Sequence, residues 1–151
     1  MIRIRIFSLI SAISILFLIG LQGCAAIEHN AGQFFEKCAI ERAVRNYFHA
    51  EITRDLPTVY EYLAPSSDYR RSHTYEEYLA QMESSPVRIE KYDLIEIHDL
   101  KANEDRKTYP SVEKFARVEV EITFSYTDTK ENMHINYDFR FIKEKGRWYK
   151  D

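Results

Sequence analysis

The spacing of apolar residues switches at Pro86 from a helical period of about 3.6 to the strand period of 2, which confines the chain to helices first and sheet afterwards. Upstream of the switch, Ile40, Ala43, Val44, Tyr47, Phe48 and Ile52 recur at three- and four-residue steps. They predict a helix from Phe34 to Arg54 with one apolar stripe, leaving Glu41, Arg45 and His49 outside it. Asp55-Leu56-Pro57 interrupts that run and restarts a short helix to Leu63, because Pro is tolerated in a first turn and Asp55 can cap it. Arg70 and Arg71 fall in the loop that follows, as solvated charges. Thr74 with Glu77 three residues on is a capping-box pattern that opens a third helix, whose buried face is Tyr75, Tyr78, Leu79 and Met82. Ser84-Ser85-Pro86 ends it.

Downstream, Val87 to Leu100 reads as a long strand whose alternation slips near Tyr92 to Ile95, the signature of a bulge. Ala116, Val118, Val120, Ile122, Phe124 and Tyr126 share one face of the next strand. Met133, Ile135, Tyr137, Phe139 and Phe141 repeat the pattern after the polar loop Thr127 to Asn132. The two form an antiparallel hairpin with one apolar and one wet face, and their lengths set Arg140 opposite Glu119 or Glu121. A tight turn at Glu144 to Gly146 returns Trp148 and Tyr149 as a last strand. The class is therefore α+β, with N-terminal helices packed on one face of a curved antiparallel sheet.

The first residues say where such a domain works. Arg3 and Arg5 precede an apolar run from Ile6 to Ile19, too short for the roughly 20 apolar residues that span a bilayer, and Leu21-Gln22-Gly23-Cys24 follows. This resembles the lipobox of a bacterial lipoprotein signal peptide, with Gln22 where that family places Ala or Ser. The resemblance implies cleavage between Gly23 and Cys24, acylation of Cys24, and tethering by two or three acyl chains. Ala25 is not the Asp used for inner-membrane retention, so the implied address in a Gram-negative cell is the outer membrane, facing the periplasm. The chain divides into a signal peptide (1–23), a short tether (24–33) and one domain (34–151).

Arg3 and Arg5 leave with the signal, so the rest carries two fewer basic residues than the whole chain's 21, against all 24 acidic ones. Nucleic acid is excluded as a partner because it requires a clustered basic face. With Cys24 acylated, Cys38 has no intramolecular partner and reads as a small buried hydrophobe on the first helix.

Gly32 and Gly146 are the only glycines after Cys24, which leaves no glycine-rich loop to wrap a phosphate. G-x-S-x-G, H-E-x-x-H and C-x-x-C patterns are absent, and no cofactor is implied. Glu96 and His98 share a strand face, but two ligands do not make a metal site. His49, Asp55 and Asp93 are the only acid or base candidates, and each has an ordinary structural reading as a solvated helix position, a cap and an exposed strand carboxylate. All eleven tyrosines follow Cys24. Tyr47, Tyr126, Tyr137 and Trp148 are the candidate pocket lining, an amphipathic wall suited to a small apolar ligand with a polar end; the alternative is that they fill the core.

The element order, closing on Phe139-Arg140-Phe141-Ile142-Lys143-Glu144-Lys145-Gly146-Arg147-Trp148-Tyr149, resembles the nuclear-transport-factor-2-like superfamily with its cystatin-like cone. The resemblance implies a sheet wrapped around a helix with an apolar pocket at its open end. It covers enzymes of the isomerase and dehydratase type, non-catalytic binders and envelope subunits, so fold alone does not select a function. The expectation is a membrane-tethered, non-catalytic module that binds an envelope protein or a small amphiphile. The alternatives are a small pocket enzyme of the isomerase or dehydratase type and a structural subunit of an envelope complex. Oligomeric state is left open.

Overall fold

The structure, a computed structural model, describes residues 31–151. Signal peptide, Gly23, Cys24 and most of the tether lie outside the described residues. Two compact units are present, one through Cys38 and one from Ala39 to Asp151. Helical backbone (α1) occupies residues 31–53, so the last tether positions, 31–33, are already helical. In the first unit Phe34 and Phe35 are 64% and 69% exposed. Cys38 is exposed as well, contrary to its reading as a buried hydrophobe. The reason is angular: two residues before Ile40, Cys38 sits about 200° around the helix from the stripe that Ile40 opens.

In the second unit the apolar stripe of α1 is the core. Ile40, Val44 and Phe48 are fully buried, and Ala43, Tyr47 and Ala50 nearly so. The helix closes in a Schellman arrangement, with Asp55 N–H donating to Ala50 O (2.9 Å) and Arg54 N–H to Glu51 O (3.2 Å). The left-handed position in this motif is usually Gly, but here it is Arg54 (φ 59°), whose guanidinium donates to Met82 O at 2.7 Å. Helix α2 (Leu56–Tyr62) is capped by Asp55, which accepts from Thr58 N–H. Helix α4 (Tyr75–Ser84) opens with the capping box, Glu77 N–H to Thr74 Oγ1 at 3.2 Å and Thr74 N–H to Glu77 Oε2 at 2.7 Å.

Between them lies α3 (Asp68–Ser72), in place of the expected loop carrying Arg70 and Arg71. Five residues are too few to show an apolar period. Its end signals are nonetheless written in the chain: Ser67 as cap, Asp68 in the first turn, and Arg70 and Arg71 in the last.

Four antiparallel strands follow in the order β1-β2-β3-β4: β1 (Val87–Ala102), β2 (Val112–Tyr126), β3 (Asn132–Glu144) and β4 (Arg147–Lys150). One of three register breaks in β1 falls between Leu94 and Glu96, inside the expected slip. Ile95, skipped by the pairing, is 49% exposed. Lys145 (φ 49°) and Gly146 (φ 77°) form the two-residue turn between β3 and β4, where positive φ at both positions matches the strand twist.

The β2–β3 register corrects one expectation. Arg140 faces Arg117, while Glu119 faces Asp138 and Glu121 faces Asn136. The loop is tighter than the alternation alone reveals: Asn132 is already a strand residue opposite Ser125, which shifts every downstream pair. The helix-facing side of β2 is buried through Ala116, Val118, Val120 and Ile122. At the end of the sheet near the β3–β4 turn, a second small core of Ala64, Val112 and Ile142 forms, with Tyr109, Phe115 and Tyr149 packed against it. Asn103, 6% exposed, ties down the loop beside it by donating to Tyr109 O (2.7 Å) and Val112 O (2.8 Å). No described helix is long and apolar enough to cross a membrane.

Candidate functional site

Where β3 runs beyond its pairing with β4, its helix-facing side is left partly uncovered and an open cleft of about 640 Å3 forms. This is within the size range of small-molecule sites, roughly 300–1,000 Å3. Its apolar wall comes from α1 (Tyr47, Phe48), β1 (Ile89) and the hairpin (Ile122, Phe124, Ile135, Tyr137, Phe139). Tyr137 is 53% exposed there, its ring 4.6 Å from that of Phe139. The polar residues on its lining are Ser67, Asp68, Asp138, Arg140, Lys150 and Asp151, of which Asp138 directs its carboxylate to His98 and Arg117.

Two of the four expected lining residues meet at this cleft. Tyr47 and Tyr137 line it. Tyr126 lies opposite Val87 in the β1–β2 pairing and is not part of the wall. Trp148 is 2% exposed and belongs to the core, with one edge on a separate recess of about 240 Å3 beside Ala43, Asn46 and Tyr62. The short β4 draws Trp148 against the helices, whereas the long β3 carries Tyr137 past their cover.

The charges on the lining are mostly matched. Arg140 forms an ion pair with Asp151, whose side chain is 10% exposed. Asp138 accepts from Arg117 Nη1 at 2.9 Å and contacts His98 Nε2 at 3.2 Å, and Asp68 pairs with Arg71. Lys150 is the exception. Its Nζ lies 5.8 Å from the Tyr47 ring centroid and 5.6 Å from that of Phe139, and its one hydrogen bond among the described residues is a long 3.4 Å contact to Asp151 O. Burial pushes this ammonium below its usual pKa, partly opposed by the charges of Glu51 and Asp151. Tyr47 donates to Glu51 Oε1 at 2.7 Å, and its phenol is held well above the usual value, chiefly by burial and then by that carboxylate.

The acid and base candidates are not brought together. His49 is exposed on α1, Asp55 caps α2, and Asp93 forms a surface pair with Lys91. His98 contacts Asp99 and Asp138, which also pair with Arg117, rather than Glu96. No cluster of three metal-ligating side chains occurs among the described residues. Lys150 and Arg140 are the site residues that sequence reasoning did not single out. Arg140 alternates with apolar neighbours on β3 and reads there as a wet-face charge, whereas Lys150 shares its strand face with buried Trp148, so alternation turns it toward the helices without marking where their cover ends.

No protein-family model matches the chain, and no curated protein is similar to it.

Proposed function

We propose that this chain is a membrane-tethered lipoprotein of the cell envelope, and that its domain is a non-catalytic binding module of the nuclear-transport-factor-2-like type whose cleft takes a small amphiphile. The observation that carries the binding role is the cleft itself, with its apolar, aromatic wall and a few polar residues on its lining. The superfamily assignment is supported by the element order and by a β1 strand with three register breaks, the device by which long strands bend around a helix. The address rests on Arg3, Arg5, the apolar run and Leu21-Gln22-Gly23-Cys24, and places the lipid on Cys24. In a Gram-negative cell the domain then faces the periplasm from the outer membrane.

Binding is favoured over proton-transfer catalysis because no His lines the cleft and each of its three aspartates meets an arginine. A proton shuttle of the carboxylate or imidazole kind needs such a group unmatched, and none on the cleft wall is.

Two measurements test this reading. Intact mass and membrane fractionation of the chain expressed in a bacterium with its own N-terminus should show loss of residues 1–23, an acyl gain, and release from the membrane on Cys24→Ser; an unmodified mass removes the tether. Photo-crosslinking with a diazirine-bearing amphiphile should label peptides of β3 between Ile135 and Phe139, and labelling elsewhere only removes the cleft as the binding site.

A further inference from the structure

Lys150 is fixed before any ligand arrives. Its backbone pairs with Phe141 on one side and bridges to Leu63 on the other, where Ala64 N–H donates to Lys150 O at 2.7 Å. A side chain held on a strand between two neighbours is a better-placed anchor than one on a loop. Its ammonium points into the cleft between the rings of Tyr47 and Phe139, and no carboxylate among the described residues forms an ion pair with it. Asp151 is already taken by Arg140, and Glu51 accepts the Tyr47 hydroxyl. The ring faces offer cation–π attraction but no counter-charge, so the cation is desolvated with incomplete compensation.

Resting on the cleft as a binding site, we infer that its ligand class is an amphiphile with a single carboxylate head, and that Lys150 is the head-group anchor. A carboxylate adds a direct partner to the more distant charges of Glu51 and Asp151 and accepts the ammonium's hydrogens in a charge-assisted bond. A monoanion is selected over a phosphate or other dianion. Asp68 and Asp151 line the same cleft, and Arg140, the one arginine on its wall, is committed to Asp151. There is also no glycine-rich turn to supply backbone N–H donors. The apolar body then lies along Phe48, Ile122, Phe124 and Ile135, away from the head.

The test is competitive photo-crosslinking on the full chain held in phosphatidylcholine nanodiscs, with a diazirine-bearing dodecanoate as probe and empty nanodiscs as background. Dodecanoate should displace the probe from β3 peptides at least about tenfold better than dodecanol or dodecyl phosphate. Lys150→Met should erase that preference while still allowing apolar probes to label the cleft, and Lys150→Arg should retain it. Thermal unfolding of each variant shows that the fold survives. Equal competition by dodecanol and dodecanoate overturns the head-group assignment and leaves the cleft standing as a binding site, and preference for the phosphate overturns the monoanion. Absence of β3 labelling by either an alcohol or a carboxylate probe overturns the cleft itself, and the anchor with it.

Discussion

Arg117 and Arg140 face each other across the β2–β3 pair, and each is neutralised by a different aspartate: Asp138 on β3 for Arg117, Asp151 beyond β4 for Arg140. Like charges directly opposite on a sheet are unfavourable, so this pairing persists because both guanidiniums are matched elsewhere. The two matches are unequal, since the Asp151 side chain is 10% exposed and that of Asp138 is 38% exposed. Asp151→Asn should therefore cost about 1–3 kcal/mol, the range for a hydrogen bond to a charged partner, whereas Asp138→Asn should cost about 1 kcal/mol or less. Urea unfolding of both variants checks the order. A larger loss from Asp138→Asn would contradict it.

Arg54 occupies a left-handed position that favours Gly, and holds it while donating to Met82 O. Arg54→Ala keeps the strained backbone and removes the bond, so it should destabilise by about 1–2 kcal/mol. Arg54→Gly also removes the bond but relieves the strain, and should be about 1 kcal/mol more stable than the Ala variant. Equal stabilities for the two would mean that the backbone stores no strain here.

Much of this fold is legible in the chain because its long elements repeat their period several times. The α1 stripe, the capping box at Thr74 and Glu77, the slip in β1 and the turn at Lys145-Gly146 each follow from local chemistry. Register does not, because alternation is unchanged by a two-residue slide, and so Arg140 meets Arg117 rather than a glutamate. The site is less legible than the fold. Whether an aromatic at a face position lines a cleft depends on how far the neighbouring elements extend, which separates Tyr137 on the long β3 from Trp148 on the short β4. Alternation puts Lys150 on the face of Trp148, but that it meets a cleft there and not the core depends on where the helices stop covering β4, a tertiary fact.

Tyr78 is 3% exposed, packed among the rings of Tyr60, Tyr69 and Tyr75, and its hydroxyl has no hydrogen-bond partner among the described residues. Burying an unmatched hydroxyl is costly, so Tyr78→Phe should stabilise the domain by about 1 kcal/mol. Tyr47→Phe is the contrasting case, because it strips a partner from Glu51 and should cost about 1 kcal/mol. Urea midpoints measured at neutral pH distinguish them, and a destabilised Tyr78→Phe would show that the hydroxyl is matched in solution.

Tyr47 and Lys150 meet in the cleft with pKa values displaced in opposite directions, which fixes the shape of the alkaline stability profile. Lys150 titrates below its usual 10.5 in the folded chain, chiefly through burial, with Glu51 and Asp151 opposing the shift. Between that lowered value and 10.5 the unfolded chain binds more protons than the folded one, so this group makes stability rise with pH. Tyr47 and Tyr78 are both raised from 10.0, burial being the first cause in each. Above pH 10.0 the unfolded chain gives up these phenolic protons while the folded chain keeps them, so stability falls as pH climbs. The unfolding free energy should therefore rise modestly and then drop steeply beyond pH 10.0, with the tyrosinate absorbance of Tyr47 and Tyr78 appearing only as the protein unfolds. Lys150→Met should abolish the rise and leave the drop, while Tyr78→Phe should soften the drop and leave the rise. A wild-type chain whose tyrosines all ionise near pH 10.0 without unfolding would show that neither phenol is buried as described.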